Sequence, residues 1–264
     1  MTVTQASPET SLFPTVPVSA EIFESHPEAA FWIGKIANLG ASGVGESEYA
    51  NALGRFRANV YVHELAYLDE DVVDVMGREL DEYDERSIQF AVVENGRTEG
   101  DASRIVGSLR LITKESPENL YPIEKYFPEL FEEPIGTNSA EVSRFIARYP
   151  GDKFMKHVIS LSLIRAATLY ADREQIESYY CIIEDPLLGL LKKIGIPLEA
   201  IGESKNIPEQ GGVLHPIRIN SQKILDSVTV DKTGNIMLED FFKQELGSGG
   251  EGYYPADLVG GTYE

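Results

Sequence analysis

Ala140-Glu141-Val142-Ser143-Arg144-Phe145-Ile146-Ala147-Arg148 reads as a strand from the middle of a sheet that also carries chemistry. Val142, Ile146 and the small Ala140 and Ala147 suit packed layers, whereas Glu141, Ser143, Arg144 and Arg148 need partners wherever water is excluded. Tyr149-Pro150-Gly151 breaks the strand, and Asp152 is placed to cap the long apolar helix that follows. Such a junction offers free backbone N–H groups at a positive dipole end, suited to a phosphate or a thioester arm. The plainer reading is a structural Glu–Arg pair between strands.

Working outward, Ile105 to Ile112 is a strand with Leu109 and Leu111 on one face and Ser108 and Arg110 on the other. Ser87 to Val93 alternates in the same way, and Asn95-Gly96 opens the turn between the two. From Glu48 to about Leu68, Ala52, Phe56, Val60, Tyr61, Leu65 and Leu68 recur at helical spacing. An acidic run, Asp69 to Asp84, follows. Residues 114–139 are rich in proline yet hold Leu120, Tyr121, Tyr126, Phe127, Leu130 and Phe131, too many large apolar groups for a plain loop, so they are expected to cover core or pocket. Downstream lie a helix from Asp152 to about Asp172, an apolar strand Ser178 to Glu184, and a helix opened by Asp185-Pro186 and closed by Gly195. Two strands, 196–202 and 212–219, and a short helix over 238–246 complete the order. Residues 19–40 are expected to form one short packing helix. The fold class is α/β, a mixed sheet with helices on both faces.

Composition narrows the function. Lys plus Arg number 23 against 43 Asp plus Glu, a formal net charge of −20, which argues against nucleic acid or an anionic membrane surface as main partner. Cys181 is the only cysteine, so no intrachain disulfide forms. The four histidines show no metal-ligand spacing, and no metal is expected. Neither a signal peptide nor a membrane-spanning run is apparent, which points to a cytoplasmic protein.

Four motifs in order resemble the acyl-homoserine-lactone synthases, the LuxI-type autoinducer synthases of the GNAT-type acyltransferase fold. They are Arg57-x-x-x-Tyr61, Glu79-x-Asp81-Glu82-Tyr83-Asp84, Gly107-Ser-Leu-Arg110-Leu111 and Glu141-Val-Ser143-Arg144-Phe145. The run Gly195 to Gly202 is similar to the family's later helix-to-strand turn. The likeness covers about residues 50–205 and implies a GNAT-like, mostly antiparallel twisted sheet. It divides the chain into an N-terminal extension (1–45, partly disordered), an acyltransferase domain (46–222) and a C-terminal extension (223–264). One departure stands out: Tyr67 occupies the position where the family usually has Trp.

The resemblance implies transfer of a fatty acyl group from a thioester on acyl carrier protein or CoA to the amine of S-adenosylmethionine. The products are an N-acyl-homoserine lactone and methylthioadenosine, with no tightly bound cofactor. It assigns catalysis to Glu141, Ser143 and Arg144, with Glu141 as base directly or through water. Its acceptor and substrate contacts are Arg57, Tyr61, Tyr67, Asp81, Asp84, Arg110 and Phe145. Asp81 and Asp84 would attract the cationic acceptor, and the arginines suit its carboxylate or a network around it. The alternatives are a Glu141 ion pair with Arg110 or Arg144, and a Ser143 that bonds a neighbouring strand. The junction Arg148-Tyr-Pro-Gly-Asp-Lys lacks a glycine-rich CoA loop, which tilts the donor towards a carrier arm. Arg148, Lys153 and Lys156, with Arg144 and Arg165 nearby, would dock it. Phe90, Leu109, Phe145, Met155, Ile159 and the aromatics of 120–131 are available for an acyl tunnel. Two competing readings are an N-acyl amino acid synthase on the same scaffold and a non-catalytic ligand- or partner-binding module.

Overall fold

The computed structural model describes residues 20–26, 31–36, 48–94, 105–151, 153–193 and 195–227. Among the described residues nine strands form one sheet, interleaved with five α-helices. Strands β1 (Ala20–His26), β2 (Phe31–Ile36), β3 (Ser87–Glu94), β4 (Ile105–Ile112) and β5 (Ser139–Ala147) run antiparallel, each beside the next. Then β5 meets β6 (Ser178–Glu184) in parallel. On the far side β9 (Gly212–Asn220) pairs antiparallel with β6 and carries the short β7 (Leu198–Ala200) and β8 (Lys205–Ile207).

The period-2 pattern of the central strands sorts their residues between two helical layers. Phe90 and Val92 of β3, with Leu109 and Leu111 of β4, pack under α3 (Lys153–Arg173) against Ile159, Leu163 and Ala167. Ala91 and Val93 face the other way, onto Tyr49, Ala50 and Leu53 of α1 (Glu48–Ala58). Each fully buried Leu or Phe adds about 1.5–3 kcal/mol to this core. α3 comes close at Gly107: a Cβ there would stand 2.5 Å from the Ile159 side chain. The helix α4 (Asp185–Lys193) follows β6 directly, and Gly195 ends the turn after it at φ 81°. The last helix is α5 (Ser221–Ser227).

Three expectations need correction. In place of the helix expected over 19–40, the described residues 20–26 and 31–36 are strands: β1 and β2 pair antiparallel and extend the sheet from β3. Phe31, Trp32, Ile33 and Ile36 are aromatic or β-branched, and the free edge of β3 decides for strand. The helix from Glu48 does not continue as α-helix to Leu68. After Ala58 it widens into a π-helical turn, Asn59–Glu64, with the Leu65 N–H on the Val60 carbonyl. Strand β8 was not expected. The Pro-rich span 114–139 holds a short helix α2 (Pro122–Tyr126), and its Tyr121, Ile123 and Phe127 form a satellite core with Ile112, Ile207 and Leu214. The helix read over 238–246 and the cap at Asp152 lie outside the described residues.

Two irregularities open the sheet. Strands β5 and β6 pair only at Ser139–Ser178, Ala140–Tyr179 and Glu141–Tyr180, then part. On the other edge of β5 the register with β4 slips between Ser108–Ile146 and Arg110–Ser143, so Leu109 stands opposite both Arg144 and Phe145. Arg144 takes φ 51° there, left-handed backbone that a non-glycine residue seldom adopts. Its carbonyl accepts the Ser108 hydroxyl at 2.9 Å. The bulge swings the second half of β5 away from β6, and a cavity of about 310 Å³ fills the gap.

Candidate active site

The cavity has two kinds of wall. Leu109, Val142 and Phe145 of the sheet, Ile164 and Ala167 of α3, Cys181 and Ile183 of β6, and Leu187 and Leu191 of α4 give an apolar side. Polar groups inside that side are already satisfied: Thr168 bonds the Ile164 carbonyl at 2.8 Å and the Tyr179 hydroxyl bonds the Ala167 carbonyl at 2.6 Å. Tyr61, Asp81, Tyr83, Arg110, Lys125, Glu141, Ser143 and Arg144 make the polar side. Leu109, Phe145 and Tyr126 thus line the space as expected of a tunnel. Phe90 and Ile159 instead belong to the packed core, with Met155 against it.

Behind the polar wall stands a saturated ion network. Arg57 on α1 is fully buried, bound to Glu79 through Nε and to Asp84 at 2.7 and 3.0 Å. Arg110 on β4 reaches both oxygens of Asp81, at 2.6 and 2.9 Å, and Asp84 at 3.1 Å. Arg144 holds Glu79 at 2.7 Å and Asp81 at 3.1 Å, and its guanidinium lies over the Tyr61 ring. Asp84 also accepts Gln89 Nε2 and the Asp81 N–H, both at 2.8 Å. Burial alone would raise Glu79, but Arg57 and Arg144 overrule it and hold its carboxyl at about 2. Burial opposes ionisation of Asp84 too, and Arg57 and Arg110 drive it well below the usual range.

Arg57 and Asp84 do not line the cavity. These two, expected from the motifs as acceptor contacts, stand behind the wall: Arg57 holds Glu79, and Asp84 holds Arg110 and the Asp81 N–H. Glu79 is the member that sequence reasoning passed over, although it opens the second motif. Ser143 accepts Arg110 Nε at 2.8 Å, the cross-strand bond offered as its alternative reading.

Glu141 is equally buried and differently treated. Its Oε2 accepts the Ile123 N–H at 2.9 Å, while the buried Oε1 has no hydrogen-bond partner, and the residue lines the cavity. No ion pair joins it to Arg110 or Arg144 among the described contacts. Burial pushes its carboxyl up to about 8; the Ile123 N–H and the charge of Arg110 pull back only part of the way.

Tyr61 sits in the π-turn, where burial raises its phenol to about 12. Tyr67 donates to Glu184 Oε2 at 2.8 Å, a bond that raises its phenol, and its ring packs on Gly211, where a Cβ would be 2.9 Å away. Phe145 contributes side chain to the wall and its carbonyl faces the Tyr61 hydroxyl at 3.5 Å. The expected basic docking patch is thinner than the sequence implied. Arg144 turns inward, Arg165 is buried, and Arg148 pairs with Glu64 at 3.3 Å. Lys156 is half-buried, and the Lys153 side chain lies outside the described residues. Among the described residues no cluster of His, Cys, Asp or Glu could hold a metal, and no helix is long and apolar enough to cross a membrane.

A bulged, splayed sheet with a buried carboxylate beside the parting strands frames the site. Residues 45–225 match the family model of the autoinducer synthases, and the chain belongs to that family. It is an acyltransferase enzyme. Solved structures with the same fold include the AHL synthase LasI (20% identity, 72% of this chain and 89% of that one, TM-score 0.55). Another is the CoA-dependent acyl-homoserine lactone synthase BjaI, with SAM and isopentyl-CoA (20%, 66% and 76%, 0.52). A third is TofI in a ternary complex with an inhibitor and MTA (19%, 72% and 91%, 0.51). No curated protein sequence matches the chain.

Proposed function

We propose how this enzyme's residues divide the reaction of its family. A fatty acyl group passes from a thioester to the α-amine of S-adenosylmethionine, and the methionyl carboxylate then closes on Cγ, giving the N-acyl-homoserine lactone and methylthioadenosine. The observation that carries the assignment of roles is Glu141, a cavity-lining residue with one oxygen tied to Ile123 and the other without a hydrogen-bond partner. An ordinary carboxylate is a poor match for an ammonium proton. One raised to about 8 lies much closer in basicity to an amine, and the cationic acceptor stabilises its ionised form as it enters. Glu141 therefore takes the proton that the amine must lose, directly or through one water. Asp81, still partly exposed, faces the sulfonium-bearing acceptor, while Arg110 and Arg144 hold that carboxylate in place. Ser143 orients Arg110.

The acyl chain lies along the apolar wall, with Phe145 and Leu109 beside it, and Tyr67 closes the rim. Residues 46–222 form the catalytic unit, with the flanking segments as extensions. The donor is acyl carrier protein, approaching by Arg148, Lys153 and Lys156; the absence of a glycine-rich loop at Arg148–Lys153 supports it over CoA. The cytoplasm suits a chain with one buried thiol.

The test is purified protein with S-adenosylmethionine and matched acyl-carrier-protein and acyl-CoA donors, followed by mass spectrometry. Lactone and methylthioadenosine together are expected, faster from the carrier protein. An acylated amine without methylthioadenosine would make the enzyme an N-acyl amino acid synthase instead. Equal or faster turnover with acyl-CoA would overturn the carrier assignment.

A further inference from the structure

Glu141 owes its orientation to a single N–H, and that N–H belongs to a segment with its own buried clasp. Lys114, just past the end of β4, places its Nζ 2.7 Å from Glu124 Oε2 and 3.0 Å from the Ile135 carbonyl, over the face of Tyr121. Glu124, the third residue of α2, accepts the N–H groups of Tyr121 and Ile135, both at 2.7 Å. Both side chains are buried. One ion pair therefore draws together the entry of α2, the end of its loop at Ile135 and the exit of β4. The Tyr121 hydroxyl closes the ring on the Ser139 carbonyl at 2.6 Å, two residues before Glu141. Ile123 lies inside that ring. Its N–H is free of helical bonding because it belongs to the first turn, and it donates to Glu141.

We propose that Lys114 and Glu124 are positioning residues for the reaction: their buried pair holds the Ile123 N–H against Glu141 Oε2, which leaves Oε1 facing the substrate. A clasp that served stability alone would not need to end on the one donor of the one underbonded carboxylate. Lys114 does not touch Glu141, and neither Lys114 nor Glu124 lines the cavity, so they act through Ile123. This rests on Glu141 as the base.

The groups acting on Glu141 are Arg110 from β4, Arg86 from the turn before β3, Glu124 and Tyr121 at α2, Tyr83, and Cys181 from β6. Arg110 and Arg86 favour its ionised form, Glu124 opposes it, and the three neutral groups carry no charge at working pH. Slackening the clasp withdraws the N–H and leaves burial less opposed, so Glu141 becomes harder to ionise.

The experiment is the pH profile of kcat/KM for Lys114→Met, Lys114→Gln and Lys114→Arg, with thermal melts alongside. Lys114→Met is expected to move the acid limb up by about one pH unit, a roughly tenfold loss below the limb that closes at high pH. Lys114→Arg should restore the limb. Lys114→Gln breaks the same pair, leaves the Glu124 carboxylate in place and carries the same reading should the first variant not fold. A lowered melting temperature with the acid limb unmoved would overturn the proposal and leave the clasp purely structural. Glu141→Gln checks the underlying assignment separately: full activity in that variant removes the base and not the clasp.

Discussion

Glu79 and Glu141 are buried to the same degree, and their fates diverge. Glu79 sits between two guanidiniums and is held ionised at about 2. Glu141 has one backbone N–H and a bare oxygen, and is raised to about 8. Burial is common to both, so burial does not set the protonation state; local compensation does. One side of Ser143's neighbourhood is a finished electrostatic structure, in which Arg57, Arg110 and Arg144 answer Glu79, Asp81 and Asp84. The other side is left unfinished, with Glu141 Oε1 unpartnered. A fully satisfied network fixes geometry, and an underbonded group is where chemistry has room to occur.

Breaking the finished side carries the largest effect. Arg57→Met strands Glu79 and Asp84 without their shared cation, and a loss of about 3–5 kcal/mol in urea unfolding is expected. A loss below 1 kcal/mol would mean that the network is not the frame argued for. Breaking the unfinished side acts on rate instead. Glu141→Gln should cut methylthioadenosine release by about a hundredfold or more with the fold intact, as read by turnover and a thermal melt.

The two carboxylates also predict opposite pH dependences of stability. Glu79, depressed from 4.5 to about 2, contributes stability that is present above 4.5 and lost as pH falls towards 2. Glu141, raised from 4.5 to about 8, favours the folded state in its neutral form. Its contribution is full below 4.5 and is lost as pH rises towards 8, because the unfolded chain gives up that proton first. Melting temperatures at pH 5, 6.5 and 8 should therefore fall more for the parent than for Glu141→Gln. Parallel curves would refute the raised carboxyl.

The smallest effect is expected where the two sides meet. Ser143→Ala removes the acceptor of Arg110 Nε while Asp81 and Asp84 keep the guanidinium anchored. Stability should change by about 1 kcal/mol and turnover by no more than about tenfold. A loss equal to that of Glu141→Gln would move Ser143 from orientation to catalysis.

Much of this was readable from the chain. The alternation of Ser87–Val93 and Ile105–Ile112 assigned their faces, and from β3 to β9 the expected strands and helices recur in order, with α2 and β8 added. What escaped was set by distant partners. Residues 20–26 and 31–36 become strands because β3 offers an edge. Glu79 looks like one more acid in an acidic run until Arg57 and Arg144, far away in sequence, close on it. Arg165 reads as a surface cation and is buried. The segment 114–139 reads as a cover, and nothing local shows that Lys114 and Glu124 lock it or that its Ile123 N–H finds Glu141.

The sequence by itself determined the periodicities, the breaks at Pro150-Gly151 and Gly195, and the order of the motifs, because these depend on neighbours a few residues apart. Only the tertiary structure decided which carboxylate is neutralised and which is left wanting. Desolvation and ion pairing are properties of the space around a group, and here that space is assembled from β4, β5, α1 and α2, which meet only in the fold.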